Sequence, residues 1–450
     1  MSFLFRKKSL NEALSEIESS KLNKVLNVFD LTFFGIGAII GAGIFALVGT
    51  ASSFAGPSII LSFIIASLVC LFSALSYAEL TSSIPISGSA YTYSYIAFGE
   101  FIAFLVGWNL ILEYLVGNMA VATSWSAYFI SLLENFHIHI PNYLLKPFNV
   151  PAFFIVFFIT ILLLIGIKES AKFNNFLVIL KVLILLFFVF VGIWFIKPQH
   201  YKPFMPNGFS GTLTGAGLIF FAYIGFDAIS TLSEETKNPK KHLPISIILS
   251  LVISTIIYIL TAFVLIGISN YKNLNVADPL SKVLNDINLN WAGSILAIGA
   301  LISTTTVLLT FQAGQPRIFF AMSRDKFIPK FFSYIHPKFK TPFISIIICG
   351  LIVGIFSAIS DISVVAELTN IGTLFTFFII NLGVLYLKIK KQINPPFKTP
   401  LFPSFQILGA ISCLILMLSL PKITWFRFIL WLIVGIIIYF ISLVLRKKAV

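Results

Sequence analysis

Charge is what this sequence has least of. Only 11% of its 450 residues are Asp, Glu, Lys or Arg, against roughly 25% in soluble globular domains. So little charge cannot coat a folded surface in water, which excludes an ordinary soluble domain. Cysteine is nearly absent. Cys70, Cys349 and Cys413 each fall inside an apolar run, where cysteine behaves as a small buried hydrophobe. No disulfide framework and no paired-thiol centre is expected. His137, His139, His200, His242 and His336 lie outside those runs at no metal-ligand spacing, so neither metal nor cofactor is expected. No GxxxxGK[ST] loop is present, leaving ATP-driven chemistry to another chain. The first 28 residues carry charge throughout and lack the apolar core and cleavage site of a secretory signal. The first apolar run is therefore expected to insert uncleaved.

Apolar sequence is what the chain has in abundance, at 58% hydrophobic residues with 49 Phe. A membrane helix needs about 20 apolar residues. Twelve runs qualify or nearly so: 29–52, 58–83, 99–132, 151–167, 173–196, 211–233, 243–268, 291–314, 342–360, 365–387, 404–420 and 426–445. The expected fold class is an all-α polytopic membrane protein with about 12 transmembrane helices. The third run is overlong and predicts a tilted helix; the fourth is short. The segment 317–341 is basic with apolar positions at helical spacing, which predicts a short surface helix in a loop.

The basic residues set the direction. With the N-terminus inside, 23 of the 31 Lys and Arg lie on the inner side, 7 lie outside, and Lys181 falls within a span. Basic loops stay in the cytoplasm, so both termini are expected there. The same placement accounts for the net charge of +14 without nucleic acid, because the excess faces an anionic inner leaflet.

Residues 35–49, GIGAIIGAGIFALVG, put five glycines into the first span. Each costs a helix interior about 1 kcal/mol relative to Ala. A phosphate loop would need a preceding strand, and none is expected. Gly37 and Gly41 form GxxxG, which suits close helix packing. The third reading is a helix built to break, and it requires a partner. Five spans later, GLIFFAYIGFDAISTLSEE (217–235) interrupts another apolar run with Gly225 and Asp227. An odd offset means the two spans run in opposite directions, as inverted repeats require. Spans 1–5 (29–196) and 6–10 (211–387) would be the repeats, with 404–445 added and 1–28 and 446–450 as tails.

A helix that stops inside a membrane leaves carbonyls and amides without partners. The amides of Ala42, Gly43 and Ile44 would suit a carboxylate. The carbonyls of Ile39 and Ile40, and of Phe221, Ala222 and Ile224, would suit an ammonium. Gly41 and Gly43 keep side chains off that backbone. A carboxylate and an ammonium a few ångströms apart describe an α-amino acid.

These stretches resemble the amino acid–polyamine–organocation superfamily of permeases, and look closest to bacterial relatives of the cationic amino acid transporters. GIGAIIGAGIF is similar to the family's span 1 signature. PISGSAYTYSYIAFGEFIAFLVGWNLILEY (85–114), FFAYIGFDAISTLSEETKNPKKHLPISI (220–247) and RIFFAMSRDKFIPKFFSYIHPKFKTP (317–342) resemble its later signatures, in order. The resemblance implies a LeuT-type five-plus-five inverted repeat with broken helices 1 and 6. It also implies uptake of an L-amino acid across a bacterial inner membrane, commonly driven by protons. A sodium-coupled transporter or exchanger of the same fold, or an amino acid sensor, is the alternative. Whether a small single-span subunit accompanies the chain is left open. Two positions depart from the pattern: Lys326 stands where members often carry Gly, and Asn109 where many carry Asp.

Lys181 lies about 12 Å into span 5 at 1.5 Å per residue, at the edge of what snorkelling reaches. Intramembrane charges usually face the protein interior. In sodium-coupled members of the fold a cation sits between spans 1, 5 and 8. In proton-coupled relatives that resemble this chain, a span 5 lysine is placed to put its ammonium there. Ser303, Thr304 and Thr305 of span 8 face the same region in that fold. Their hydroxyls would hold sodium or the lysine, or else cap local carbonyls. Glu113 in span 3 would pair with a basic substrate or carry a proton; its alternative is a structural hydrogen bond. Phe226 is a candidate aromatic gate, with simple packing as the rival. Asp227 is expected to cap the second half of span 6. Glu79, Glu100, Glu234 and Glu235 are expected to pair with basic inner loops. A channel would need a polar pore and a membrane enzyme would need clustered His, Asp or Cys, and the spans carry neither.

Overall fold

The computed structural model describes residues 6–135, 138–276, 278–359, 365–420 and 422–448. His137 and the last two residues of the C-terminal tail lie outside these. The chain begins with a short amphipathic helix, α1 (Leu10–Glu18), closed by a reciprocal cap. Ser9 Oγ accepts from the Glu12 amide at 3.1 Å and Glu12 Oε2 accepts from the Ser9 amide at 2.9 Å. It buries Ala13 and Ile17. The segment expected to be a soluble tail is thus partly docked. Lys8 pairs with Glu16 at 2.7 Å and Asp325 at 2.6 Å, and Arg324 with Glu16 at 2.7 Å.

Asn27 and Asp30 form a second capping box, which starts α2 (Val28–Ile39). After α2 the chain leaves helical geometry at Ile40, takes one π-turn over Gly43–Leu47, and resumes as α3 (Val48–Ala55). Then follow α4 (Ile59–Ser83), α5 (Ser89–Phe98), α6 (Glu100–Asn135), α7 (Val150–Ile165) and α8 (Ile167–Gly192). The next helix is broken too. α9 (Gly208–Phe220) ends in a 3-10 turn, the chain extends at Ile224, and α10 (Ala228–Thr231) restarts. The remainder is α11 (Pro239–Ile268), α12 (Pro279–Asp286), α13 (Asn290–Arg324), α14 (Phe343–Ile359), α15 (Val365–Ile389), α16 (Ser404–Ser419) and α17 (Lys422–Lys448).

Among the described residues, eight segments are long and apolar enough to cross a membrane, and α7, α14 and α16 are shorter apolar helices. The first of the eight, Val28–Ser83, holds α2, α3 and α4 with the break between α2 and α3. Large apolar side chains such as Phe154, Phe190 and Trp194 stay exposed. In water such surface is unfavourable; against lipid tails it is not. α2 lies at the centre, packed by α8, α11 and α13.

Two expectations about the loops are corrected. The helix expected to end near residue 314 continues to Arg324, and the following segment holds only a 3-10 turn, Lys330–Ser333, in place of a surface helix. The continuation is possible because Arg317 is not a loop charge. It is buried, paired with Glu235, and its guanidinium returns to the Ala313 carbonyl. Lys326, just beyond the helix, has φ +66°. That left-handed conformation favours glycine, which explains why a glycine would be at home there.

Candidate functional site

The two breaks face each other. Between them lies a small cavity lined by Ala38, Ile39, Gly41, Ala42 and Gly43 of the first break and Phe221, Ala222 and Ile224 of the second. Val121 of α6, Val307 and Phe311 of α13, and Thr369 of α15 close it. Its volume is about 20 Å³, room for roughly one water, so an organic solute enters only if the helices part. The structure is therefore a closed conformation of this site.

Why the chain breaks here is local. Gly225 has φ +123°, a conformation denied to side-chain-bearing residues. A Cβ at Gly43 would collide with Ala222, whose Cα would lie 2.6 Å away. Glycine at 43 therefore lets the two broken segments touch backbone to backbone. No side chain caps the π-turn that follows Ala42. Its first amides point along a helix N-terminus, the end that favours negative charge.

The carbonyls freed by the breaks find specific partners. Tyr258 of α11 sets its hydroxyl 2.7 Å from the Ile39 carbonyl and 2.9 Å from that of Ala222. One hydroxyl proton serves one acceptor at a time, so Tyr258 ties both breaks together and leaves one carbonyl available. Lys181 Nζ donates to the carbonyls of Ile40 at 2.6 Å and Gly37 at 3.0 Å, and to Thr306 Oγ1 at 2.7 Å. Three acceptors surround three N–H donors, the arrangement an ammonium requires.

The structure brings together some of the expected residues and separates others. Gly41, Ala42, Gly43, Phe221, Ala222 and Ile224 line the cavity. Ile40 does not; its carbonyl turns to Lys181. Ile44 is buried in the π-turn away from the lining. Thr304 spends its hydroxyl on the carbonyls of Ala300 and Leu301, and Thr305 on Leu301. Ser303 Oγ is buried without a hydrogen-bond partner, and the hydroxyl on Lys181 belongs to Thr306. Phe226 packs against Phe377 and edge-on against Tyr77, with ring centroids 5.0 and 5.9 Å away. Glu113 is buried outside the lining, with Oε2 unpartnered. Asp227 stands at the start of α10, where the Ala228 amide already donates to the Gly225 carbonyl at 3.1 Å, and its side chain makes no N-cap hydrogen bond.

On the face that carries α1, acidic and basic groups do pair. Glu79 meets Lys388 at 2.6 Å, Glu234 meets Arg324 at 3.0 Å, and Glu235 meets Arg317. Glu100 accepts from Tyr95 at 3.4 Å and Tyr439 at 3.5 Å. Asn109 donates to the Gly372 carbonyl at 2.6 Å and Thr376 Oγ1 at 2.9 Å. It joins α6 to α15, and an ionised carboxylate there could not donate to the Gly372 carbonyl.

Tyr258, Thr306, Val121, Val307, Phe311 and Thr369 were not legible as site residues. Each sits in a run of apolar or hydroxyl residues that looks like its neighbours. The one available signal was that a buried Tyr hydroxyl needs a partner.

An all-helical membrane protein whose cavity is enclosed by main chain at two facing helix breaks is built as a solute transporter. The chain belongs to the amino acid permease family, whose model matches residues 26–445. It is 45% identical to the methylthioribose transporter of Bacillus subtilis, over 98% of both chains. It is also 45% identical to the branched-chain amino acid permease BcaP of the same organism, over 97% of both. The vacuolar cationic amino acid transporter 4 of Arabidopsis thaliana is 37% identical, over 86% of this chain and 66% of its own. The family makes this protein a transporter, not an enzyme.

Proposed function

We propose that this protein is a secondary active permease that takes up neutral amino acids with apolar side chains, working by alternating access and coupled to protons. The observation that carries this reading is the pair of facing breaks. Free amides after Ala42 suit the substrate carboxylate, and the carbonyls of the second break suit its ammonium. The rest of the lining is Val121, Val307, Phe311 and Thr369, which offers an apolar side chain contact and a cationic one nothing. Glu113 lies outside the lining, which disfavours a basic substrate. The name of the relative BcaP agrees with this choice.

Coupling is assigned to Lys181. Its ammonium occupies the acceptor cage that a metal cation would otherwise need, between α2, α8 and α13. In this reading Lys181 is protonated in the closed state, and loss of its proton frees the Gly37 and Ile40 carbonyls and loosens the break. Helices α2 and α9 support the repeat assignment: they run 12 and 13 residues before breaking, the near-equal lengths that two repeats would have. Twelve crossings follow if α2–α3 and α9–α10 each count as one. The face carrying α1 is then cytoplasmic, by its basic residues.

The test is uptake into proteoliposomes of a panel containing branched-chain, small, aromatic and cationic amino acids and methylthioribose, under imposed proton or sodium gradients. Branched-chain uptake driven by inward protons is expected. Uptake driven only by sodium would replace the coupling ion. Binding without uptake would make the protein a sensor. Failure to move any amino acid would overturn the reading.

A further inference from the structure

Asn174 is a buried polar group that neither break uses. It lies on α8, fully buried, and neither its Oδ1 nor its Nδ2 has a hydrogen-bond partner. An amide offers two donors and two acceptor sites, and buried polar groups are normally satisfied by protein or by bound water. Its surroundings are polar. A Cβ placed on Gly37 would come within 2.9 Å of Asn174 Oδ1 and 3.2 Å of Thr310 Oγ1. Asn174 and Thr310 therefore meet over the same glycine whose carbonyl holds Lys181.

The spacing is regular. Asn174 and Lys181 are seven residues apart, about two turns on one face of α8. Thr310 and Thr306 are four apart on α13, and Thr310 Oγ1 lies 3.0 Å from the Thr306 carbonyl and 3.3 Å from that of Phe34. The next residue of α8, Asn175, donates from Nδ2 to Asp30 Oδ1 at 2.8 Å. Asp30 is half-buried at the start of α2. Polar groups of three helices thus gather from Lys181 and Thr306 to Gly37, Thr310 and Asn174, and Asp30, seven residues before Gly37 on α2 and held by Asn175, stands nearer the face carrying α1.

We infer that Asn174 holds buried water between Lys181 and the α1 face, and that these groups mark the route by which the proton of Lys181 leaves. The inference rests on the proton-coupled reading above. The ammonium gives its proton to a water held by Asn174 and Thr310; the amine left behind is neutral, and the proton passes to the Asp30 carboxylate or to solvent. The titratable groups along the route are Lys181 and Asp30. Of the groups on the helices packed against it, Tyr258 of α11 is held on Ile39 and Ala222, and Arg317 of α13 is paired with Glu235. Asn174 acts as a positioning residue and touches no substrate.

The test compares Asn174→Leu, Asn174→Ser and Thr310→Val with wild type in proteoliposomes, using leucine as the probe. Net uptake under a proton gradient should fall by about tenfold or more in Asn174→Leu. Substrate exchange, which returns the carrier still protonated, should stay near wild type, and the pH profile of net uptake should flatten. Asn174→Ser, which can still hold water, should recover most of the loss, and Thr310→Val should show a smaller defect. A structure at a resolution that reveals water should place one between Asn174 and Thr310. If Asn174→Leu keeps full proton-driven uptake and only gains thermal stability, Asn174 is structural and the route is overturned. A dry contact at Asn174 overturns it as well. If wild type itself ignores the proton gradient, the coupling reading fails and the route falls with it, a result distinct from a normal wild type with a normal mutant.

Discussion

Lys181 Nζ stands 2.6 Å from the carbonyl of Ile40, the residue at which α2 stops being a helix. A charge from one helix therefore satisfies the broken end of another. Replacing Lys181 with Met keeps most of the side-chain volume and removes all three donors. Each buried acceptor left unpaired costs about 1–3 kcal/mol. Lys181→Met is expected to abolish proton-driven uptake and to lower the melting temperature. A variant that still responds fully to an imposed pH gradient would remove Lys181 from the coupling mechanism.

A Cβ on Gly43 would stand 2.2 Å from the Ala222 Cβ. Gly43→Val should abolish substrate binding while leaving the protein folded, because the side chain can be housed only by pushing the segments apart. Gly43→Ala should be milder, and adding Ala222→Gly should recover part of the loss. Interaction energies between residues in contact run about 0.5–3 kcal/mol, enough to be read from a double-mutant cycle on leucine affinity. Additive effects would mean the two residues do not share this constraint.

Tyr258 is the tie between the breaks. Tyr258→Phe removes only the hydroxyl and leaves the Ile39 and Ala222 carbonyls short of a donor, at a cost of about 1–3 kcal/mol. The expected result is a lower melting temperature and slower uptake, both measurable in detergent and in proteoliposomes. Unchanged values would show that the carbonyls find other donors.

Lys326 carries positive φ at the end of α13. Lys326→Gly relieves that strain, which for a non-glycine residue is about 1–2 kcal/mol, against the added chain entropy of glycine. A small net gain in thermal stability is expected, with transport unchanged. A clear loss would mean the lysine side chain contributes more than its backbone costs.

How much of this was legible depends on how each residue departs from its surroundings. Glycines in an apolar run, an acid beside Gly225 and a lysine within span 5 all violate the pattern of a lipid-facing helix, so the breaks and Lys181 stood out. The glutamates at the span ends were legible for the same reason, and the structure pairs Glu79, Glu234 and Glu235 with basic residues far along the chain. The docking of α1, the continuation of α13 to Arg324, and the choice of Thr306 over its three neighbours were not. Four consecutive hydroxyls, Ser303 to Thr306, point around most of a helix, and only the position of α8 decides which one meets Lys181.

By itself the sequence determined the class of molecule, the places where helices must break, and the presence of a buried charge. Each follows from local chemistry: glycine's missing side chain, the length of an apolar run, and the cost of an ion in lipid. The tertiary structure decided which residues enclose the cavity and which acceptors surround Lys181. In helices apolar on nearly every face, hydropathy no longer distinguishes an inward residue from a lipid-facing one. That distinction arises only when the helices pack, because packing alone brings Tyr258 to two broken ends and Asn174 to Gly37.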